Sequence, residues 1–283
     1  MGEHAPSSHR RRWQGRLVAG AVCLVVSGWI VSFDPAKLVA PTARQQLLAF
    51  VQSGFPPDLS RSYLVSRTVR DGLLWAIVET LAISIVGTGL AVCCAVPASL
   101  LSASSVTHEG PLYVGASQRR LVSGRLVHTG VRWLLSFCRA VPEIVWGVLF
   151  VTALGLGPFA GVLALAVHNT GVLGKLFADF LEETDPLTTE AVATVGASRL
   201  QAVCHGMVPQ ITATVASYTV YRWECTIRSA AVLGFVGAGG IGYHLLLTVQ
   251  RLQYQRLTTA IIAVFGLVLW SDWLASRVRA SLG

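Results

Sequence analysis

Six apolar segments, at about 17–34, 72–101, 132–154, 158–180, 211–236 and 258–276, constrain this chain more than any other feature. Each comes near the twenty or so residues of helix needed to cross a hydrocarbon core of roughly 30 Å. Composition agrees with that reading. The chain is 53% hydrophobic and only 13% charged, against about 25% charged in an ordinary soluble domain. A large soluble helical core would still need a charged surface. The expected fold is therefore all-α: a polytopic membrane bundle of about six transmembrane helices.

The net charge of +8 is mostly arginine, with Lys37 and Lys175 the only lysines. Arginine clustered beside apolar spans fixes membrane orientation rather than binding nucleic acid. Arg10 to Arg16 mark the first end as cytoplasmic. Arg119, Arg120, Arg125 and Arg132 place the loop after the second span inside, and Arg277 and Arg279 do the same for the C-terminus. An even number of spans joins these ends, with both termini cytoplasmic. The outer loop from Asp34 to Asp71 opposes the rule with Lys37, Arg44, Arg61, Arg67 and Arg70, and longer loops are less bound by it. The N-terminal apolar run is longer than a signal-peptide core and lacks a small-x-small site, so an uncleaved first helix is expected. The six cysteines show neither CxxC pairing nor Cys/His metal spacing. Cys23, Cys93, Cys94, Cys138 and Cys225 lie within apolar stretches and read as small hydrophobes, and no disulfide framework or metal site is expected.

Two regions are expected: an N-terminal helix with its outer loop over 1–71, and a helical core over 72–283. Leu47, Leu48 and Val51 recur at helical spacing within Arg44–Val51 and predict a short interfacial helix. Phe55-Pro56-Pro57-Asp58 then breaks it. Ser102 to Gly130 is rich in Ser, Gly and His and reads as a flexible cytoplasmic loop.

Two nucleotide-like motifs fail on context. Gly237-Ala238-Gly239-Gly240-Ile241-Gly242 matches GxGxxG, but it follows a membrane span, with no βαβ unit and no acidic residue about twenty positions on. Its glycines, above all Gly237, Gly239, Gly240 and Gly242, fit a sharp turn or close helix approach at the membrane edge. Gly171 to Leu176 hints at a phosphate loop, but Asn169 stands where the first glycine belongs and Leu176 replaces the Mg²⁺-binding hydroxyl. No cofactor is expected on this chain, so any ATP and Mg²⁺ would sit on a partner.

Ionisable residues within spans cost roughly 2.5–3.5 kcal/mol each on insertion scales, so each needs a reason. Arg139 and Glu143 lie one helical turn apart in the third span and could pair. Glu79 lies in the second, His168 and Asn169 in the fourth, and Arg222, Glu224 and Arg228 in the fifth, with Glu224 placed to reach Arg228. One reading has these charges pairing between helices and locking the bundle. The other has some of them lining a water-filled path for an anion, offset by Arg139, Arg222 or Arg228. No catalytic residues are assigned, since no Ser/His/Asp, HExxH or paired-carboxylate signature accompanies them.

Glu190 to Pro209, EAVATVGASRLQAVCHGMVP, is a polar helical segment between two apolar spans. It resembles the EAA loop of ABC importer permeases, with Glu190, Ala191, Gly196 and Pro209 at the matching spacing. Val192, Gly206 and Val208 depart from the pattern. FPPDLS at 55–60, RAVPE at 139–143, GLGPFAGVLAL at 155–165, LGKLFA at 173–178, YTVYRWE at 218–224 and VLGFVGAGGIG at 232–242 resemble the permeases of phosphonate-type importers, some of which take phosphite or hypophosphite.

The resemblance implies a type I importer permease with a methionine-permease-like fold in a bacterial inner membrane. It implies two copies of the chain enclosing the path, two ATPase subunits inside and a substrate-binding protein outside. A coupling helix at about 184–206 would seat in the ATPase, with Gly196 allowing close approach and Pro209 fixing the start of the next span. Gly206, in place of a large aliphatic, would remove one anchor of that helix. A permease for methionine or another small nutrient is the rival within transport. An intramembrane enzyme using His168 and Glu143 is the rival outside it.

Overall fold

A computed structural model describes residues 7–32, 34, 40–65, 72–110, 113 and 117–282, and every regular element among them is helical. They fall into two compact units, Met1–Ser53 and Gly54–Gly283. The first holds α1 (Ser7–Ile30) and nearly all of α2 (Pro41–Gly54). The apolar part of α1, Gly15–Ile30, is shorter than the spans of the second unit. α2 contains the expected Arg44–Val51 helix and ends before Phe55-Pro56-Pro57-Asp58. Lys37, Arg67 and Arg70 lie outside the described residues, as do the side chains of Arg10, Arg11 and Arg12.

The second unit runs α3 (Arg61–Leu64), α4 (Leu73–Ser102), α5 (Ser104–Thr107), α6 (Gln118–Ala140), α7 (Glu143–Leu154) and α8 (Pro158–Glu182). α9 (Pro186–Thr194) and α10 (Arg199–Ala202) follow, then a π-helical turn at Val203–Met207 and α11 (Val208–Leu233). A 3₁₀ turn at Gly234–Val236, α12 (Gly240–Gln250) and α13 (Tyr254–Leu282) complete it.

Among the described residues, α4, α8 and α13 are long and apolar enough to cross a membrane, and two bent pairs bring the number to five. The expected third span is one of these pairs: α6 and α7 meet at 88°. Pro142 explains the break, because its ring excludes a helical hydrogen bond and biases Val141 toward extended backbone, observed at φ −76°, ψ 122°. The second pair joins Arg199–Val236 to α12 at 41°.

Small residues bring the central helices together. Ala76, Thr80, Ser84, Gly87, Ala91, Ala95 and Ser99 recur every three or four positions along α4, and all are buried. α8 answers with Ala160, Gly161, Ala164, Gly171, Gly174 and Ala178. A β-carbon on Gly87 would stand 3.1 Å from that of Leu165, so α4 and α8 approach nearly backbone to backbone. Lipid offers no hydrophobic drive between helices, and packing of this kind is what associates them.

The expected loop at 102–130 is largely helix. α5 and the first turns of α6 occupy much of it. One of its glycines serves packing: a β-carbon on Gly124 would collide with the Thr107 backbone. Arg132 on α6 pairs with Asp179 and with Glu182, 3.1 Å, at the end of α8, and Glu182 accepts from Ser104 N at 2.7 Å.

Candidate functional site

At the Glu182 end of the bundle the expected coupling segment is two helices rather than one. Asp185 caps α9 by accepting from Leu187 N at 3.0 Å, with Pro186 in the first turn, where its missing N–H is harmless. α9 stops at Gly196, whose φ of +88° is the left-handed conformation that ends helices without a β-carbon penalty. Nothing lies within 4 Å of a β-carbon built there. Gly196 is therefore required by backbone conformation and not, within this chain, by close packing. Ser198 and Gln201 form a reciprocal capping box that restarts the helix as α10.

Glu190 and Ala191 are exposed on α9, beside Leu187 and Val195, while Thr189 is fully buried beneath. Val192 packs against the small core of Ala178, Leu181, Val203 and Met207. Gly206 does not leave a missing anchor. It faces Thr189 so closely that a β-carbon would stand 3.0 Å from the Thr189 Cα, so backbone approach replaces the large aliphatic. Pro209 stands in the first turn of α11, and helical backbone leads into it from Arg199. The proline ring would clash with the carbonyl four residues back in an α-helix, and the wider π turn at Val203–Met207 accommodates it. The Gly206 carbonyl accepts from Gln210 Nε2 at 2.6 Å, and Gln210 Oε1 in turn accepts from Asp185 N at 3.1 Å.

Midway along α8, at the α6–α7 break, several of the anticipated polar residues converge. His168 Nδ1 donates to the Val141 carbonyl, freed by the break, at 3.1 Å, and its Nε2 faces Glu143 Oε2 at 3.2 Å. Ser229 donates to the other Glu143 oxygen. A backbone carbonyl can only accept, so Nδ1 carries a proton and Nε2 is the ring nitrogen turned to the carboxylate. The order Ser229–Glu143–His168 puts the carboxylate in the middle. A nucleophilic triad needs the histidine there, so this array does not activate the serine.

One residue on, buried Asn169 donates to Thr226 Oγ1 at 2.9 Å and accepts from Arg222 Nε at 2.7 Å. Arg222 has no ion pair among the described residues. Arg139 is exposed and does not pair with Glu143, because the 88° bend separates them.

Glu224 and Arg228 belong elsewhere. Glu224 accepts from Arg228 at 3.2 Å and from Arg279 at 3.0 Å, and Arg228 reaches Asp272 at 3.3 Å, tying α11 to α13. Glu224 and Arg228 thus pair with each other and with α13, while His168, Asn169 and Arg222 share a separate cluster.

At the far end, Gly237, Gly239 and Gly240 hold φ of +93°, +80° and +68°, turning the chain into α12. A β-carbon on Gly242 would collide with the Ala231 carbonyl, so that glycine is a close-approach residue. Glu79 and Thr80 of α4 pin the turn by accepting from Gly240 N at 2.9 Å and Ile241 N at 2.8 Å. Sequence reasoning missed Ser229, Thr226 and Thr80, because hydroxyls in apolar helices normally bond back to their own helix and carry no partner signal.

Long helices crossing an apolar bundle, a broken helix beside a buried polar cluster, and an exposed capped helix pair at one end define a multi-pass membrane permease. Residues 112–282 match the family described as the binding-protein-dependent transport system inner membrane component, and the chain belongs to that family. It is thus a transport component, not an enzyme, of systems that include a binding protein and an ATPase.

The chain is 34% identical over 258 residues to the Phosphate-import permease protein PhnE of Mycolicibacterium smegmatis, a match covering 91% of this chain and 44% of that one. It is 35% identical over 272 residues to the Phosphite transport system permease protein PtxC of Stutzerimonas stutzeri, covering 95% and 89%. Its fold is similar to that of the inward-facing MetNI methionine ABC transporter, with TM-score 0.62, 19% identity, and coverage of 75% of this chain and 96% of that one.

Proposed function

We propose that this chain is the permease subunit of an ATP-driven importer for phosphonate or a related phosphorus oxyanion such as phosphite or hypophosphite. Arg222 carries the argument. Its guanidinium lies within the bundle, held by the neutral Asn169 and without a carboxylate partner among the described residues. A cation left uncompensated in that setting is costly unless an anion visits it. The likeness to permeases named for phosphite and phosphate import supports the same class of cargo. A zwitterion such as methionine brings its own ammonium with its carboxylate and would leave the net charge of Arg222 uncompensated.

In this reading two copies enclose the path, and Arg139, Glu143, His168, Asn169 and Arg222 line it. Glu224 and Arg228 hold its wall. The N- and C-termini are cytoplasmic in a bacterial inner membrane. Glu190, Ala191 and the exposed apolar side chains of α9 and α10 seat in an ATPase subunit that supplies ATP and Mg²⁺. The glycine turn at 237–242 belongs to the outer gate, where the binding protein delivers its cargo.

The test is ATP-dependent uptake by proteoliposomes holding this chain with its ATPase and binding protein, offered labelled phosphite, methylphosphonate, phosphate and methionine in parallel. Accumulation of a phosphorus oxyanion is expected. Accumulation of methionine alone would overturn the cargo while keeping the family.

A further inference from the structure

A cavity formed by the described residues lies beside the glycine turn at 237–242, and its polar wall has not entered the account of the path. It encloses about 650 Å³ at the end of the second unit remote from α9 and α10. α8 places it there, running 25 residues from Pro158 in the cavity wall to Glu182 near α9. At 1.5 Å per residue that separation is about 37 Å.

The chemistry of its wall is one-sided. Arg251, Gln253, Arg256 and His244 line it together with Tyr63 and Tyr243, and Glu79 is its one carboxylate. Glu79 is already committed: it accepts from Gly240 N at the start of α12, where the helix end offsets its charge. Arg256 spends Nε on Asp58 at 3.0 Å and Nη1 on Gln253 Oε1 at 3.1 Å. Its Nη2 and the Gln253 amide NH₂ remain as donors. Arg251 is exposed and has no ion pair among the described residues. The turn that presents it is strained, since Leu252 holds φ +55°, a conformation uncommon for a side chain with a β-carbon.

A guanidinium without a counter-ion beside further outward donors is the composition of an oxyanion site, for which Arg supplies planar, two-point recognition. We propose that this cavity binds a tetrahedral phosphorus oxyanion, Arg251 providing the charge and Arg256 and Gln253 the orienting hydrogen bonds. It rests on the cargo proposed above and adds a first station for that cargo, one the permease offers before the membrane interior. The site should be weak, because a station must release what it takes; a Kd near 1 mM corresponds to only about 4 kcal/mol.

The full chain in lipid nanodiscs, without ATPase or binding protein, is titrated with labelled methylphosphonate and phosphite, and with methionine as a zwitterionic control of no net charge. Saturable binding of either oxyanion is expected, weakened about tenfold by Arg251→Gln and largely retained by Arg251→Lys. Uptake by the complete transporter should fall in step, while its basal ATP turnover stays unchanged. Binding that is absent, or equal in the wild type and Arg251→Gln, overturns the site. So does intact oxyanion binding by Arg251→Gln combined with lost docking of the loaded binding protein, which makes the cavity a protein contact instead. Failure of the cargo assignment looks different: the complete transporter then accumulates no phosphorus compound, whatever the isolated chain binds.

Discussion

Arg222 and Gly196 show what single positions contribute. Replacing Arg222 by Gln keeps a hydrogen-bond partner for Asn169 but removes the charge. Uptake of a phosphorus oxyanion should fall at least tenfold, with fold and ATPase assembly intact, as read by proteoliposome uptake beside size-exclusion of the complex. Gly196→Asp meets no atom of its own chain, and its left-handed backbone costs a substituted residue about 1–2 kcal/mol. The variant should fold, insert and fail to transport, because the added bulk and charge stand on the proposed coupling surface. Normal uptake by folded Gly196→Asp would remove α9 and α10 from coupling. At this scale the sequence was readable where a residue type is out of place. His168, Asn169 and Arg222 stand out in apolar spans, and the structure brings all three together. Their partners were not readable, since Ser229 and Thr226 are ordinary in such helices and the break at Val141 that supplies a free carbonyl is a backbone event.

Elements were legible by length and apolarity and less so by continuity. α4, α8 and α13 fall where the hydropathy places them. Hydropathy alone carries the third span straight through Pro142 because the apolar run does not pause there, and it gives α12 no separate signal because the glycines before it dominate the pattern. Gly206 is the clearest case of a local rule giving way to packing: a departure from the family pattern that looked like a loss is a fit to Thr189. Restoring the pattern with Gly206→Ile should therefore destabilise the α9–α11 junction by about 1–3 kcal/mol, the usual cost of overpacking. Thr189→Ala in the same chain should recover part of that. A double-mutant cycle on thermal unfolding measures the coupling, and additive effects would place the two residues out of contact.

For the whole molecule, the segment 54–65 is held by chemistry outside the membrane spans. Asp58 accepts from Ser60 N at 3.0 Å and from Arg256 Nε at 3.0 Å, and Ser60 first and Arg256 next hold its carboxyl below the ordinary value. A depressed carboxyl stabilises the folded state above its unfolded pKa of about 3.9 and loses that contribution as pH falls through its lower folded value. Melting temperature should thus fall below about pH 4. Asp58→Asn should have a lower melting temperature at neutral pH and a shallower acid slope. Equal slopes would release Asp58 from the clamp.

The π turn at Val203–Met207 has a mechanical meaning at this scale. Arg199 and Arg222 lie on one uninterrupted rod, about 35 Å apart at 1.5 Å per residue. The turn sets the angular phase between the surface proposed to meet the motor and the side chain proposed to meet the cargo. Removing one residue, such as Cys204, would advance everything beyond it by about 100°. Arg222 would swing off Asn169 while α9 kept its shape: a machine whose crank still turns, with its piston out of time.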